Sequence, residues 1–511
     1  MFALGAIVPA ASINEHPPVS VIRVAPPAPV FTDQQRHQEL AGRRSRVAKA
    51  VGANGVMILF SAEPKVYTND VQYYFRQENN LYYLTNLKQK GITLVLMPGN
   101  STHPEILFLR KRNAFAEQWN GRMYSVAEAS RVSGVKEIWD ANELGPFLRA
   151  LKSKQAFQPK PENILMSARP SESTPTSGFE SLFAAAGRNE ADLYLLAAGL
   201  PEGPEYRQEF RAAAEWGQGT GYRVKNASPI FADLRLRKSP MEIALMQHAI
   251  DITNEALQRA WVVAGSAKWE YEVDAEVIYT FKLRNADHWG YPPIVGCGPN
   301  ATILHYTESQ SPLKQGDLLL MDVGAEYEHY TADVTRTFPV NGKFTSAQAE
   351  IYQIVYDAQE AAAKATRPGA TISDVDRAAT EVIKDGLLRL GLITDKSSSQ
   401  HRLWFMHGTS HWLGMNVHDV GNYGAKLEPG MIFTNEPGIY IGPDALDNMP
   451  KNAESEKFIA AVRPAFEKYK NIGVRIEDDM LVTEDGVKWM TAALPRKLSE
   501  IETFIARARK P

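Results

Sequence analysis

The sequence predicts an α+β protein of two domains, an N-terminal α/β domain followed by a domain organised around a β-hairpin. Three observations lead there. Short apolar runs of the kind that form buried strands alternate with helix-like segments up to about residue 150. Ser239-Pro240, followed by MEIALMQHAIDITNEALQRAW, has Ser as cap, Pro in the first turn and Glu242 beside it, and so opens a helix and a second unit. Residues 316–338, GDLLLMDVGAEYEHYTADVTRTF, read as two β-prone runs, Leu318–Val323 and Tyr330–Val340, about a turn at Glu328-His329. The boundaries implied are a Pro-rich leader over 1–33, an N-terminal domain over 34–224 and a C-terminal domain over 225–511.

Taken in order, residues 12–32 hold five prolines and few long apolar side chains, which predicts an extended, poorly packed arm. Gln34–Val51 is helix-like. Val56–Phe60, Thr93–Met97 and Ile106–Leu109 are buried-strand runs, with Val126–Val132 and Glu143–Ala150 as helices among them. The aromatic stretch Tyr73–Leu84 suits a core or a subunit interface. No glycine-rich phosphate loop follows any of these strands. Residues 171–224, rich in Ala, Glu and Gly, read as mostly helical and as the connection between domains. Beyond Ser239 the pattern gives a strand at Pro292–Cys297, the hairpin, helices at Ala347–Ala365 and Ile372–Leu390, further strands to Thr483, and a closing helix at Arg496–Arg507.

Composition narrows the function classes. The 511 residues are 44% hydrophobic and 23% charged with a net charge of −3, ordinary for a globular protein, and they show no nucleic-acid surface. The single cysteine, Cys297, excludes an intrachain disulfide and sits in a turn-like GCGPN, which reads as a structural thiol. No apolar run is long enough to cross a bilayer. Phe2–Ala11 resembles the apolar core of an export signal but lacks preceding basic residues, so a cytoplasmic location is favoured with export left open.

The chemistry starts at the hairpin. Asp322 and Asp333 are eleven positions apart, and for a hairpin loop with an even number of residues that odd spacing puts both carboxylates on one face. Two such groups among Leu, Met, Val and Phe call for a positive partner. A bound cation is one answer; the other is that one Asp pairs with Arg336 while its neighbour caps a turn. Three of the chain's 11 histidines, His407, His411 and His418, fall within HGTSHWLGMNVHD. Glu436 follows an apolar strand and precedes Pro437-Gly438, and Glu477 lies in GVRIEDDMLVT. Asp322, Asp333, His411, Glu436 and Glu477 form an oxygen-rich donor set suited to Mn(II), with Zn, Co or Fe(II) also tolerated. Its negative charge suits two divalent ions sharing carboxylates.

These words in this order resemble the pita-bread metallopeptidases, and among them the aminopeptidase P family. The resemblance rests on HYTE at His305, DVGAEY at Asp322, ADVTRTFPVNGKFT from Ala332, HGTSHWLGMNVHDVG from His407, EPGIYI at Glu436 and GVRIEDD at Gly473. YYFRQENNLYYLTNL and EQWNGR extend it to the family's N-terminal domain. It implies a C-terminal pita-bread catalytic domain, with Asp322 on one metal and His411 and Glu436 on the other. Asp333 and Glu477 would bridge the two, and Glu436 would also take a proton from the bridging water. His305 and His418 would steady the scissile carbonyl, and His407, Tyr440 and Arg475 would line the proline side. The implied reaction removes the first residue from peptides with proline second, and the family often self-associates as dimers or tetramers. Rival readings are a prolidase acting on Xaa-Pro dipeptides, a metal-free hydrolase in the style of creatinase, and a non-catalytic binding member of the fold. The chain departs from the shorter family members in the roughly 30 residues between Ile441 and Ile472, where Ala453–Lys468 predicts a surface helix near the site mouth that would influence substrate length.

Overall fold

Gly55–Phe60, the first apolar run, is buried along its whole length and forms strand β1 in a seven-stranded mixed sheet. The structure, a computed structural model, describes residues 21–167, 178–196, 206–216 and 219–510. Contacts divide the chain into one unit of 29–238 with 419–422 and another of 239–418 and 423–511 with 1–28. The main division is thus at Lys238/Ser239, later than the expected 224/225. Of the expected arm, residues 1–20, including the apolar stretch at Phe2–Ala11, lie outside the described residues. Residues from 21 onward are held: the N–H groups of Arg23 and Ala25 donate to Gln258 and Glu255, each at 2.8 Å.

In the N-terminal unit α1 (Asp33–Val51) precedes β1, its start closed by a Thr32/Gln35 capping box. The hairpin β2 (Val66–Thr68) and β3 (Val71–Gln72) leads to α2 (Asn79–Thr85), β4 (Thr93–Leu96) and β5 (Glu105–Leu109). Then come α3 (Ala114–Asn120), α4 (Val126–Ser133), β6 (Ile138–Asp140), α5 (Leu144–Lys152) and β7 (Ile164–Met166). The unit ends with α6 (Glu180–Gly187), β8 (Ala191–Leu195), α7 (Arg207–Trp216), β9 (Tyr222–Asn226) and α8 (Ser228–Leu236). Strand order is β7-β6-β5-β4-β1-β8-β9. Burial of Val56, Ile58, Phe108, Trp139, Phe147 and Leu193 drives the packing. Arg44, itself buried on α1, donates to the closing carbonyls Leu84 O of α2 and Ser133 O of α4 at 2.9 and 3.0 Å, satisfying helix ends that would otherwise be orphaned.

The short strands β2, β3, β6 and β7 escaped the sequence reading, and so did β8 and β9. Residues 171–224 contain β8 and β9 as well as helices. β8, Ala-Asp-Leu-Tyr-Leu, alternates buried and half-buried along five residues, too short a run to stand out beside the Ala-rich helix α6. The aromatic stretch also divides: Tyr82 and Tyr83 are core residues of α2, whereas Tyr73 and Tyr74 are exposed.

The C-terminal unit opens with α9 (Pro240–Val263), α10 (Glu270–Leu283), β10 (His288–Trp289) and β11 (Ile294–Cys297). The hairpin follows as β12 (Leu318–Val323), β13 (Ala325–Tyr327), β14 (Tyr330–Thr331) and β15 (Val334–Pro339). Helices α11 (Ser346–Ala365) and α12 (Ile372–Leu390) pack together, and α9, α11 and α12 all begin with capping boxes. After them come β16 (Ile432–Asn435), β17 (Gly438–Ile441), α13 (Ala453–Tyr469), β18 (Ile472–Arg475), β19 (Asp478–Thr483), β20 (Gly486–Trp489) and α14 (Leu498–Ala508). Among the described residues no helix is long and apolar enough to cross a membrane.

The hairpin follows its predicted register. Tyr327 pairs with Tyr330 across Glu328-His329, whose φ values of 46° and 68° are those of a type I′ turn. Val323 pairs with Val334 and Asp322 with Thr335, so the same register runs through both ladders. Asp333 therefore faces Gly324, two residues from Asp322 and on its side of the ribbon. A Cβ on Gly324 would stand 2.0 Å from the Ala332 carbonyl oxygen and 2.9 Å from the Tyr291 ring. Backbone cannot yield there, so Gly324→Ala is expected to cost about 1–3 kcal/mol of stability. Urea denaturation of the variant checks this; an unchanged midpoint would mean the close approach is not maintained.

Candidate metal centre

Four segments converge on the carboxylates of the hairpin. Tyr291, just before β11, sends its hydroxyl between Asp322 Oδ1 (2.5 Å) and Asp333 Oδ1 (2.6 Å). The loop from His407 to His418 brings His411, whose Nε2 lies 3.2 Å from Asp333 Oδ2 and 3.4 Å from Glu436 Oε1. Glu436 stands at the end of β16 and Glu477 between β18 and β19. One donor atom each from Asp333, His411 and Glu477 lie within 4.8 Å of one another. Asp322 joins the group through the shared tyrosine hydroxyl and Glu436 through His411. All five predicted donors thus meet. Arg336, the alternative partner for the hairpin carboxylates, instead serves Asp478 (2.6 Å) and the carbonyl of Glu477 (2.6 Å).

Loop geometry aims the histidines. The Nδ1 of His411 lies 3.1 Å from the Trp412 carbonyl, which only accepts, so Nδ1 carries hydrogen and Nε2 is the atom turned to the carboxylates. Asp376 of α12 accepts from the N–H and hydroxyl of Thr409 at 3.0 and 3.1 Å, pinning the loop between His407 and His411. The His418 ring stands 4.3 Å from that of His411 at 74°. His305 is exposed in the turn beyond β11, and its link to the site is through His418, on which its charge acts.

A second chain of hydrogen bonds runs beside the first. Arg475, buried, donates to Asp322 Oδ2 (2.6 Å) and to the Tyr440 hydroxyl (2.8 Å). With that oxygen already accepting, the Tyr440 O–H donates to His407 Nε2 at 2.8 Å, and His407 Nδ1 donates to the Gly408 carbonyl at 2.7 Å. Every donor has one acceptor, and the chain requires a neutral His407. The insertion leaves this arrangement alone: Ile441 pairs with Ile472, so the added residues form the connection of the β17–β18 hairpin. Within it, α13 buries Phe458, Val462, Phe466 and Tyr469 at helical spacing, matching the predicted surface helix.

Electrostatics separates the groups. Burial, followed by the Asp333 charge, lifts the Glu436 carboxyl to about 7 against the opposing pull of His411 and Arg475. Burial and neighbouring carboxylates push Glu477 well above the usual range, and burial raises Asp333. For His411, burial disfavours the imidazolium, but the Asp333 hydrogen bond and the charges of Glu436 and Asp333 outweigh it and raise the group to about 9. His407 moves the other way, to about 4, through burial and the Arg475 charge.

Three contributors were not visible in the sequence: Tyr291, Asp376, and Thr335, whose hydroxyl donates to Glu477 Oε2 (2.6 Å) and accepts from Arg475 Nε (3.1 Å). No motif marks Tyr291 or Asp376, since each acts on a residue more than thirty positions away. Thr335 does carry a signal, lying two residues after Asp333 on the same strand face.

The raised His411 has a measurable consequence in chelator-treated protein. Its proton stabilises the fold fully below the unfolded value of 6.5, and that contribution is lost as pH rises to about 9. Glu436 acts in the same sense from 4.5 to about 7, while His407 opposes only below 6.5. The melting temperature of the chelated protein is expected to fall between pH 6.5 and 9. A flat or rising profile over that window would mean that His411 is neutral in the fold.

Comparisons with known proteins agree with the geometry. Residues 244–484 match the model of metallopeptidase family M24, and residues 40–158 that of the aminopeptidase P N-terminal domain. The Xaa-Pro aminopeptidase of Escherichia coli (strain K12) is 35% identical, over 93% of this chain and 98% of its own. Human Xaa-Pro aminopeptidase 3 is 28% identical, over 93% of this chain and 85% of its own. Among solved structures, E. coli aminopeptidase P with the inhibitor Pro-Leu matches with a TM-score of 0.77 and 32% identity, covering 94% of this chain and 100% of that one. A zinc-substituted form of that enzyme in complex with product matches with the same score, identity and coverage.

Proposed function

We propose that this chain, which belongs to metallopeptidase family M24 in its aminopeptidase P branch, is an Xaa-Pro aminopeptidase that uses the five converging donors to hold two divalent metal ions. The observation that carries the reading is the meeting of Asp333, His411 and Glu477 with Asp322 and Glu436 in a buried, acid-rich site. The donors suit the metals. His411 already acts as an internal cation between Asp333 and Glu436, and a divalent ion would take the place of its Nε2 proton. Four carboxylates favour hard ions, so we assign Mn(II), with Zn, Co or Fe(II) as substitutes. We assign Asp322 to one ion, His411 and Glu436 to the other, and Asp333 and Glu477 to both. Such ions acidify a bound water and polarise a carbonyl.

The remaining chemistry belongs to this chain's own side chains. Glu436, at the end of β16 with Oε1 3.4 Å from His411 Nε2, is the group we assign to take the proton of the attacking water. His418, whose ring stands 4.3 Å from that of His411, is assigned as a hydrogen-bond donor for the scissile carbonyl. His305 is assigned the same task. Arg475, Tyr440 and neutral His407 line the proline side and fix Asp322. An Xaa-Pro bond has no N–H and a ring-fixed φ, which is why a dedicated site is needed.

The exposed Tyr67, Tyr73, Tyr74, Phe115 and Trp119 of the N-terminal unit support self-association into dimers or tetramers. Light scattering should then give a mass above that of one chain, reduced by Phe115→Ser with Trp119→Ser; a wild-type monomer would contradict it.

Activity is tested with an Xaa-Pro-Xaa tripeptide beside the matching Xaa-Pro dipeptide, after chelation and again with Mn(II) restored. Release of the first residue from the tripeptide only when metal is present is the expected result. Turnover of the dipeptide alone would make the protein a prolidase, and turnover of neither would make it a binding protein. Glu436→Ala is expected to lower kcat by about 10²–10⁴-fold while the protein stays folded.

A further inference from the structure

We propose that Gln359 is a positioning residue for the metal centre, holding the two peptide planes that lead into Glu436 and Glu477. The inference rests on the assignment of those two glutamates as metal ligands. Gln359 lies in α11 and is completely buried. An amide in that position is costly unless all of its hydrogen-bonding capacity is used. Here it is used, and the partners are informative.

Nε2 of Gln359 lies 3.1 Å from the carbonyl oxygen of Asn435, 3.1 Å from that of Ile476 and 2.7 Å from Asp478 Oδ2. Oε1 accepts from Arg496 Nη1 at 3.2 Å, and the Gln359 carbonyl accepts from Asn435 Nδ2 at 2.9 Å. The Asn435 carbonyl and the Glu436 N–H are two ends of one rigid peptide. That N–H donates to Thr409 O at 2.8 Å. In the same way the Ile476 carbonyl and the Glu477 N–H share a peptide, and the N–H donates to Thr335 O at 3.1 Å. Each peptide entering a glutamate therefore has a partner at both ends, and the two hydrogens of one amide serve both carbonyls, at 3.1 Å each, together with Asp478 at 2.7 Å, so one hydrogen is shared.

The grip is backed by fixed charges. Asp478 is held by Arg336 Nη2 at 2.6 Å and by the Thr491 hydroxyl, and Arg336 also binds the Glu477 carbonyl at 2.6 Å. Gln359 itself touches none of the five donors. Its effect on the site is to set the spacing of two backbone segments from which carboxylates reach inward, and metal affinity is sensitive to such outer support.

The test is a titration of chelator-stripped protein with Mn(II), with the melting temperature of the stripped form measured alongside. Gln359→Met keeps the volume and helix propensity while removing both donors and acceptor. It is expected to weaken Mn(II) binding by about 10–100-fold at a temperature where the stripped variant is folded. Gln353→Met, on an exposed position of the same helix, is expected to bind as wild type does. Should Gln359→Met not fold, Arg496→Ala, which frees the amide oxygen, is expected to weaken binding severalfold. Affinity within about twofold of wild type in the folded variant overturns the proposal, whatever the change in melting temperature. If wild type itself binds no Mn(II), the ligand assignment fails and this inference with it; if wild type binds and the variant binds equally, only the role of Gln359 is lost.

Discussion

The gathering of four carboxylates in one place, three of them buried and Glu436 half-buried, is the constraint on which the rest of this structure depends. Asp322, Asp333, Glu436 and Glu477 lie on strand ends in a domain whose core is otherwise aliphatic and aromatic. Each would prefer water, and each repels the others. Within the chain itself the compensation is thin: one guanidinium on Asp322, one imidazole between Asp333 and Glu436, one tyrosine hydroxyl shared by the two aspartates, and one threonine hydroxyl each on Glu477 and Glu436. Such a cluster is tolerated only where the surrounding backbone leaves no room to relax, and where a cation completes it.

Rigidity is supplied from behind. Three separate small sheets contribute to the site, and none alone fixes the spacing of its carboxylates. Arg336, fully buried, ties β15 to the Glu477–Asp478 corner and to the Pro495 carbonyl (2.9 Å). Gly473 lets β18 approach so closely that a Cβ there would sit 2.0 Å from the Ala301 carbonyl, pressing the strand of Arg475 against the turn that precedes His305. One is a buried side chain bonded to backbone carbonyls and the other a close approach of two backbones, and together they fix the strands that carry the carboxylates.

What was legible in the sequence was whatever depends on short-range geometry. The odd spacing of Asp322 and Asp333 with a two-residue turn at Glu328-His329 is sufficient to put both carboxylates on one face, and the hairpin register follows it through every rung. The helix start at Ser239 announces itself through a cap and a glutamate three positions on, a pairing that the structure closes as a capping box. The five candidate donors stood out in the sequence through their words and order. By contrast, β8 was hidden by its brevity beside a helix. Gln359 was hidden because its partners are 76, 117 and 119 residues away and a glutamine in a helix is unremarkable in pattern. Tyr291 is one of 20 tyrosines, and only the folded chain places its hydroxyl between two aspartates.

The two histidines four residues apart show how far environment can divide one residue type. His407 and His411 share a glycine-flanked loop and both are enclosed, yet one is held near 4 and the other near 9. The difference is in the partners. His407 faces the Tyr440 hydroxyl with Arg475 behind it, so an added proton would meet a donor and a positive charge. His411 faces Asp333 and Glu436, which gain by its proton and would gain more from a divalent ion. The acidic neighbours that hold a proton on His411 are the ones that would hold a divalent ion in its place, whereas His407 stays a neutral hydrogen-bonding partner.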